Sequence, residues 1–135
     1  MRERALHYCN YVGKWYTSRM HSPNTAKTIL VVSLAMVFGF FGLGKFTDPF
    51  VWIGWMPLWM DGLLGQSKET WMKVIGVVEI LTATLILLPK LTLRRIGCML
   101  AIVQMVGILS QVGFNDVGIR DGSILLSAIA LLLLL

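Results

Sequence analysis

The chain has 135 residues, of which 56% are hydrophobic and only 14% are charged, against about 25% charged residues in an average soluble domain. A single domain of this length has too much surface per volume to bury so many apolar residues in water, so we predict an all-α membrane protein. The formal net charge of +5 does not favour nucleic-acid binding, because the basic residues lie in short flanks of the apolar runs and no recognition motif is present.

Residues 1–27 form a basic segment ahead of the first apolar run. Its apolar side chains recur every three or four positions between Ala5 and Met20, whereas polar residues such as Lys14 lie largely elsewhere. This spacing predicts an amphipathic helix that lies on the membrane surface. A disordered basic tail is the alternative for the same residues.

Four apolar runs predict a bundle of four transmembrane helices over residues 28–135. The predicted spans are residues 28–45, 71–88, 95–114 and 119–135. At a rise of about 1.5 Å per residue, each span is close to the minimum length for crossing a bilayer. Pro89 closes the second span, because proline cannot continue a helix interior. The last apolar run is the shortest, and a start near Ile119 would let Asp116 or Asp121 act as a cap or first-turn charge.

The distribution of basic residues predicts the orientation of the bundle. With four spans, the N-terminus, the second loop and the C-terminus share one side, which carries the five basic residues of the N-terminal segment together with Lys90, Arg94 and Arg95. The other side carries the remaining basic residues, Lys45, Lys68, Lys73 and Arg120. Because lysine and arginine concentrate on the cytoplasmic side, we predict cytoplasmic termini in a cell membrane, either a bacterial inner membrane or a plasma membrane.

The loop between the first two spans is rich in tryptophan. Trp52, Trp55, Trp59 and Trp71 are four of the five tryptophans in the chain. Indole rings favour the headgroup level of a bilayer, where the apolar ring and the polar N–H are both satisfied. We therefore predict an aromatic cap on the extracytoplasmic side, interfacial or shallowly re-entrant. In the alternative, the four indoles form the walls of a ligand pocket.

One carboxylate, that of Glu79, stands inside a predicted span. An ionisable residue at that depth is costly, usually faces the bundle interior and is a functional candidate with a partner to be identified. Lys45, at the end of the first span, is the best partner, and Thr82, Gln104 and Gln111 complete a small polar interior. These side chains either satisfy one another and fix the helix register, or bind a polar headgroup or relay a proton.

The sequence contains no motif for a resident cofactor. It has no nucleotide-binding loop, serine elbow or zinc helix. Neither histidine lies in a span, so no haem ligand is evident in the membrane. His7, Cys9 and His21 lack a fourth ligand for a zinc site. We therefore predict no metal site, and no residue is assigned as catalytic.

Short motifs along residues 28–135 resemble those of the DoxX-like family of small four-helix membrane proteins. The matching segments are Gly42–Phe46 at the end of the first span, Trp52–Trp59 in the loop, Gly76–Ile80 in the second span, Arg94–Arg95 before the third span and Asp121–Ser123 before the fourth. The resemblance implies an integral subunit associated with membrane redox chemistry, including thiosulfate oxidation linked to quinone.

Three functions follow as expectations. The first is an accessory subunit of a larger membrane-bound oxidoreductase, without redox centres of its own, in contact with lipid and with other membrane subunits or a second copy. The second is a quinone-binding or quinone-reactive subunit of a thiosulfate:quinone oxidoreductase type enzyme, in which Glu79 and Lys45 handle a polar ring substituent. Quinone and bound lipid are the candidate ligands in these cases. The third is a small-solute transporter.

Overall fold

The computed structural model describes residues 23–135, which form helices joined by short turns and contain no β-strand. The helices are α1 Pro23–Thr47, α2 Phe50–Ile53, α3 Lys68–Leu87, α4 Leu91–Val112 and α5 Asp116–Leu134, with short 3-10 turns at Leu58–Met60 and Leu63–Gly65 between α2 and α3. Residues 1–22 lie outside the described residues. The amphipathic pattern between Ala5 and Met20, which predicts an interfacial helix, lies among them.

Four of the helices are long and apolar enough to span a membrane, as the sequence predicts. They contain 25, 20, 22 and 19 residues, which corresponds to lengths of roughly 29–38 Å against a hydrocarbon core of about 30 Å. Many large apolar side chains on their outer faces are exposed, among them Met36, Phe40, Val103 and Leu126. A belt of this kind is stable in lipid and unfavourable in water.

The observed helix ends differ from the predicted ones by a few residues, for local reasons. Helix α1 begins at Pro23 rather than at residue 28, because proline is well suited to a first helical position. Helix α3 ends at Leu87, and Leu88 is extended because it precedes Pro89. Helix α5 begins at Asp116 rather than at residue 119, since the side chain of Asn115 accepts a hydrogen bond from the Gly118 N–H and caps it.

The remaining boundaries move in the same way. Helix α4 begins at Leu91 and ends at Val112, where the predicted span was 95–114. Gly113 follows with a φ of 72°, a conformation that glycine adopts without strain, and it turns the chain towards α5. Trp71, predicted as part of the loop, lies in α3, because the side chain of Ser67 caps that helix by accepting from the Thr70 N–H.

The four long helices form a closed ring around one core. Helix α1 packs against α3 and α5, and α4 packs against the same two helices. Their shared interior contains Leu34, Phe38, Ile86, Ala101 and Leu131, all buried. The short helix α2 packs on α3 at the end of the bundle that also carries the link between α4 and α5.

Helices α1 and α3 approach most closely at a pair of glycines. A Cβ atom added at Gly76 would lie 2.9 Å from the carbonyl oxygen of Gly42 and 3.2 Å from the Cβ of Lys45. A Cβ atom at Gly42 would in turn lie 2.9 Å from the carbonyl oxygen of Gly76. Contacts of that length are repulsive, so only glycine permits this separation of the two backbones. Lys45 and Glu79 each follow one of these glycines by three residues.

Candidate functional site

A buried ion pair joins α1 to α3. The ammonium nitrogen of Lys45 lies 2.8 Å from Oε1 and 2.6 Å from Oε2 of Glu79. The two side chains are 7% and 2% exposed. The structure thus brings together the intramembrane carboxylate and the partner that the sequence suggested for it.

The antiparallel arrangement of the two helices explains why these side chains meet. Every Cα–Cβ bond in a helix tilts towards the N-terminus of that helix. Lys45 lies near the C-terminal end of α1, so its side chain leans back into the bundle. Glu79 lies in the middle of the antiparallel α3, so its side chain leans towards the end of the bundle where Lys45 begins. The lysine therefore reaches inward to the carboxylate instead of extending to the membrane surface.

A second polar contact lies one turn deeper. The hydroxyl of Thr82 donates to the carbonyl of Val78 at 2.8 Å and accepts from Nε2 of Gln104 at 2.7 Å. Gln104 Nε2 also donates to the Leu100 carbonyl at 3.1 Å. The Gln104 carbonyl oxygen is buried and has no hydrogen-bond partner among residues 23–135. This contact ties α3 to α4, as the Lys45–Glu79 pair ties α1 to α3.

A cavity of about 260 Å³ lies above the ion pair, between the loop after α1 and the adjacent ends of the helices. Its lining includes Lys45 and Glu79, whereas Thr82 and Gln104 lie outside it. Gln111, predicted on the same α4 face as Gln104, lines the cavity. Its side chain is exposed, and Nε2 donates to the hydroxyl of Ser110. The predicted polar residues thus divide between a cavity wall and a helix–helix contact.

Three of the four loop tryptophans line this cavity, namely Trp52, Trp55 and Trp59. Trp71 does not, because it lies in the first turn of α3 and its indole N–H donates to the Leu63 carbonyl at 3.2 Å. Three of the four indoles thus form part of a cavity wall, as the alternative of a ligand pocket predicts, and the fourth does not.

The structure also places in the cavity two charged residues that the sequence did not assign to a site. Nε of Arg120 lies 2.8 Å from Oδ1 of Asp121, with the side chains 49% and 6% exposed. Both residues line the cavity and belong to α5. Their signal was present in the sequence, because Arg120 and Asp121 are adjacent and opposite charges at the start of the predicted span 119–135, at the same end of the bundle as Lys45.

Aromatic rings connect the two cations along one wall of the cavity. The Lys45 ammonium lies 4.3 Å from the ring centroid of Trp52, and the Trp52 and Phe41 centroids are 5.3 Å apart. The guanidinium carbon of Arg120 lies 5.2 Å from the Phe41 centroid. Each cation is within the range of a favourable cation–π contact.

Exposure divides the cavity into a floor and a mouth. The floor is formed by buried residues, namely Lys45, Glu79, Met72, Met105 and Asp121, and the mouth by exposed or half-exposed ones, namely Trp55, Trp59, Gln111 and Arg120. Two cations and two carboxylates line the cavity, so their formal charges cancel. Such a site can surround an apolar ring and offer hydrogen bonds at both of its ends.

No cluster of three His, Cys, Asp or Glu side chains that could hold a metal ion occurs within residues 23–135. His7, Cys9 and His21 lie outside this range. The cavity therefore offers hydrogen-bonding and aromatic groups to an organic ligand rather than a ligand set for a metal.

A family model described as a domain of unknown function, DUF8561, matches residues 34–112. The match runs from the middle of α1 to the end of α4, and includes Lys45, Glu79, Thr82, Gln104 and the tryptophan-rich loop. Helix α5, with Arg120 and Asp121, lies beyond the matched residues. No curated protein and no solved structure matches the chain.

Proposed function

The chain belongs to the DUF8561 family, a domain family of unknown function, and from the geometry of its own site we propose that it binds the headgroup of a membrane quinone. The observation that carries this proposal is the cavity between the tryptophan-rich loop and the Lys45–Glu79 pair. A quinone has a flat apolar ring with oxygen substituents at opposite edges, and an apolar tail that partitions into lipid.

The size and lining of the cavity support a ligand of this class. Drug-sized sites begin at roughly 300 Å³, and the cavity measures about 260 Å³, which suits a single-ring headgroup with its tail outside. Phe41, Trp52 and Met105 supply apolar contacts. The charge balance favours a neutral ligand, because either an anion or a cation would add an uncompensated charge to a mostly apolar site.

The polar end of the ligand would lie against the floor. Lys45 has three N–H donors, and both oxygens of Glu79 are within hydrogen-bond distance of its nitrogen. This leaves donor capacity on the ammonium for a ring oxygen. The buried pair thus presents a preorganised donor at the floor of a mostly apolar cavity, where a hydrogen bond is stronger than in solution.

The experiment is a titration of decylubiquinone against the protein in lipid nanodiscs, followed by quenching of tryptophan fluorescence. Three tryptophans line the cavity, so we expect their fluorescence to be quenched in a saturable way. A soluble indole mixed with protein-free nanodiscs measures the non-specific quenching by the quinone, and the quenching of the protein should exceed it. Glu79→Gln removes the carboxylate that holds the Lys45 ammonium in place. It should weaken binding by about tenfold, because the charge-assisted contact between Lys45 and the ligand is then no longer preorganised. Glu69→Gln is the matched control, because that carboxylate lies on the same helix outside the cavity.

A second variant is needed because Glu79→Gln could lose binding by unfolding. Ile108→Trp places a large ring in the cavity lining and leaves the ion pair intact. It should abolish saturable quenching while circular dichroism still reports a helical protein. Absence of saturable binding to the unmodified protein, or unchanged binding to Ile108→Trp, would overturn the proposal.

A place in a larger assembly is part of the same proposal. The DoxX-like resemblance supports an accessory or quinone-binding subunit of a membrane oxidoreductase, with other membrane subunits or a second copy as partners and with lipid around the bundle. Transport of a small solute lacks comparable support. Below Thr82 the described core is apolar, with Ile86, Cys98 and Leu131 at its centre, so no polar path continues through it.

The orientation of the bundle also belongs to the proposal. The excess of basic residues around the N-terminus and the α3–α4 link supports cytoplasmic termini, an aromatic cap on the extracytoplasmic side and a surface-bound amphipathic helix before α1. A reporter enzyme that functions only in the cytoplasm should be active when it is fused after Leu135. Activity of a reporter that requires the outer compartment would reverse the assignment.

A further inference from the structure

Arg120 lies at the mouth of the cavity with part of its guanidinium uncommitted. Its Nε is held by Oδ1 of the buried Asp121. The two terminal nitrogens have no hydrogen-bond partner among residues 23–135, and the guanidinium carbon lies over the ring of Phe41. One edge of the fork is thus fixed by a carboxylate and one face by a ring, which leaves the terminal N–H groups for a ligand.

Other groups at the mouth also offer donors. The indole N–H groups of Trp55 and Trp59 make no hydrogen bond to another residue within 23–135, unlike that of Trp71. The carboxylates, by contrast, are committed to cations. Both Glu79 oxygens contact Lys45, and Asp121 contacts Arg120. Some acceptor capacity remains on Gln111 and Asp121, but the strongest free groups are donors, and the charged donor is Arg120.

From this balance we propose that Arg120 is a specificity-determining residue that makes the cavity prefer the oxidised, carbonyl form of the quinone over its hydroquinone. The inference rests on the proposed function. A quinone carbonyl accepts hydrogen bonds and brings no hydrogen of its own, so it matches both a floor that donates through Lys45 and a mouth that donates through Arg120. A hydroquinone also brings two O–H groups that need acceptors. Both Glu79 oxygens and Oδ1 of Asp121 already accept from the cations, which leaves those O–H groups only Gln111 and the second oxygen of Asp121.

The preference has a thermodynamic consequence for the bound ligand. Tighter binding of the oxidised form lowers the midpoint potential of the bound quinone relative to the free one. One charge-assisted hydrogen bond that is made in one form and lost in the other corresponds to about a tenfold ratio of dissociation constants. For a two-electron couple a tenfold ratio equals a shift of about 30 mV.

The test measures dissociation constants for decylubiquinone and decylubiquinol, the latter under anaerobic conditions, by the same fluorescence titration. We expect the quinol to bind about tenfold more weakly than the quinone. Arg120→Met/Asp121→Asn removes the donor at the mouth without leaving a buried carboxylate unpaired, and should lower the ratio towards the smaller preference that Lys45 alone provides. Arg120→Lys keeps the charge and loses the fork, so it should give an intermediate ratio.

Lys73→Met is the matched control, since it removes a cation from α3 outside the cavity. It should leave both dissociation constants unchanged. Equal affinity of the unmodified protein for the two forms, or an unchanged ratio in the double variant, would overturn the role of Arg120 while leaving quinone binding in place. Failure of both forms to bind would instead overturn the proposed function itself.

Discussion

Helix α3 takes part in two lysine–glutamate pairs. Their nitrogen–oxygen distances are similar, but one pair is exposed and the other is buried. Glu69 and Lys73, one helical turn apart, lie 2.9 Å from each other with side chains 45% and 49% exposed. Glu79 lies 2.6 Å from Lys45 of α1 with side chains 2% and 7% exposed. The first pair is local and exposed to water, whereas the second joins two helices and is buried at the floor of the cavity. Burial, not distance, therefore separates the two pairs.

Burial changes what such a pair does for the protein. An exposed pair contributes about 0.2–1 kcal/mol, because water and salt weaken the attraction and the long side chains lose entropy. A buried pair offsets a desolvation cost of several kcal/mol per ion, so its net contribution is small, but the loss of one partner leaves an unpaired charge and costs about 3–5 kcal/mol. Each of Lys45 and Glu79 thus requires the other as a counter-charge.

The largest effect that follows from this comparison is expected for Glu79→Gln. Glutamine keeps the size of the side chain but leaves the Lys45 ammonium buried without a counter-charge. We expect the free energy of unfolding to fall by about 3–5 kcal/mol. Unfolding by increasing SDS in mixed micelles, followed by circular dichroism, measures the change. Lys45→Met/Glu79→Gln removes both charges and should recover most of the loss. Equal costs for the single and double variants would contradict the coupling.

The fold was largely predictable, because four apolar runs of near-membrane length leave a small chain few other solutions. The ends of the helices were less so. They depend on single contacts, such as the Asn115 side chain that caps α5 and the extended Leu88 before Pro89. These contacts add at most a few residues to a helix and do not change its hydrophobic pattern.

A smaller effect is expected for Gly76→Ala, which tests whether the close approach of α1 and α3 sets the geometry of the buried pair. The new Cβ would lie 2.9 Å from the Gly42 carbonyl oxygen, so the helices must move apart, at a cost of about 1–3 kcal/mol. The same SDS titration measures it. Gly107→Ala is the matched control, since no atom lies within 4 Å of its added Cβ, and it should stabilise α4 slightly.

The buried pair can be tied to that glycine directly. If helix separation weakens the contact between Lys45 and Glu79, then Gly76→Ala should cost less in a Glu79→Gln background than in the unmodified protein. Additive costs would mean that the close approach and the ion pair are independent. The glycines would then serve packing alone.

The site was predictable in part, for reasons visible in particular residues. Glu79 and Lys45 stood out because an ionisable residue in an apolar run needs a partner nearby. The sequence predicts only a cap or first-turn charge for Asp121, and for Arg120 only a place among the basic residues of one membrane side, although both lie at the start of a predicted span. Trp71 was grouped with the loop, since composition alone does not show that Ser67 starts α3 before it. The tilted contact between Trp52 and Phe41, with a cation near each ring, depends on tertiary packing that no local pattern encodes.

The smallest effects are expected at the exposed Glu69–Lys73 pair. There, two variants separate the contribution of the ion pair from that of the helix dipole. Lys73→Gln should lower the free energy of unfolding by about 0.3–0.5 kcal/mol, the usual contribution of an exposed pair one turn apart. Glu69→Gln should cost a few tenths more, because Glu69 also lies in the first turn of α3 and interacts with the helix dipole. Both costs should largely vanish in about 1 M salt, where the screening length is near 3 Å. The cost of Glu79→Gln should persist, because salt screens a buried pair much less than an exposed one. A salt-sensitive cost for Glu79→Gln, or a cost for Lys73→Gln of several kcal/mol, would mean that burial is not what distinguishes the two pairs.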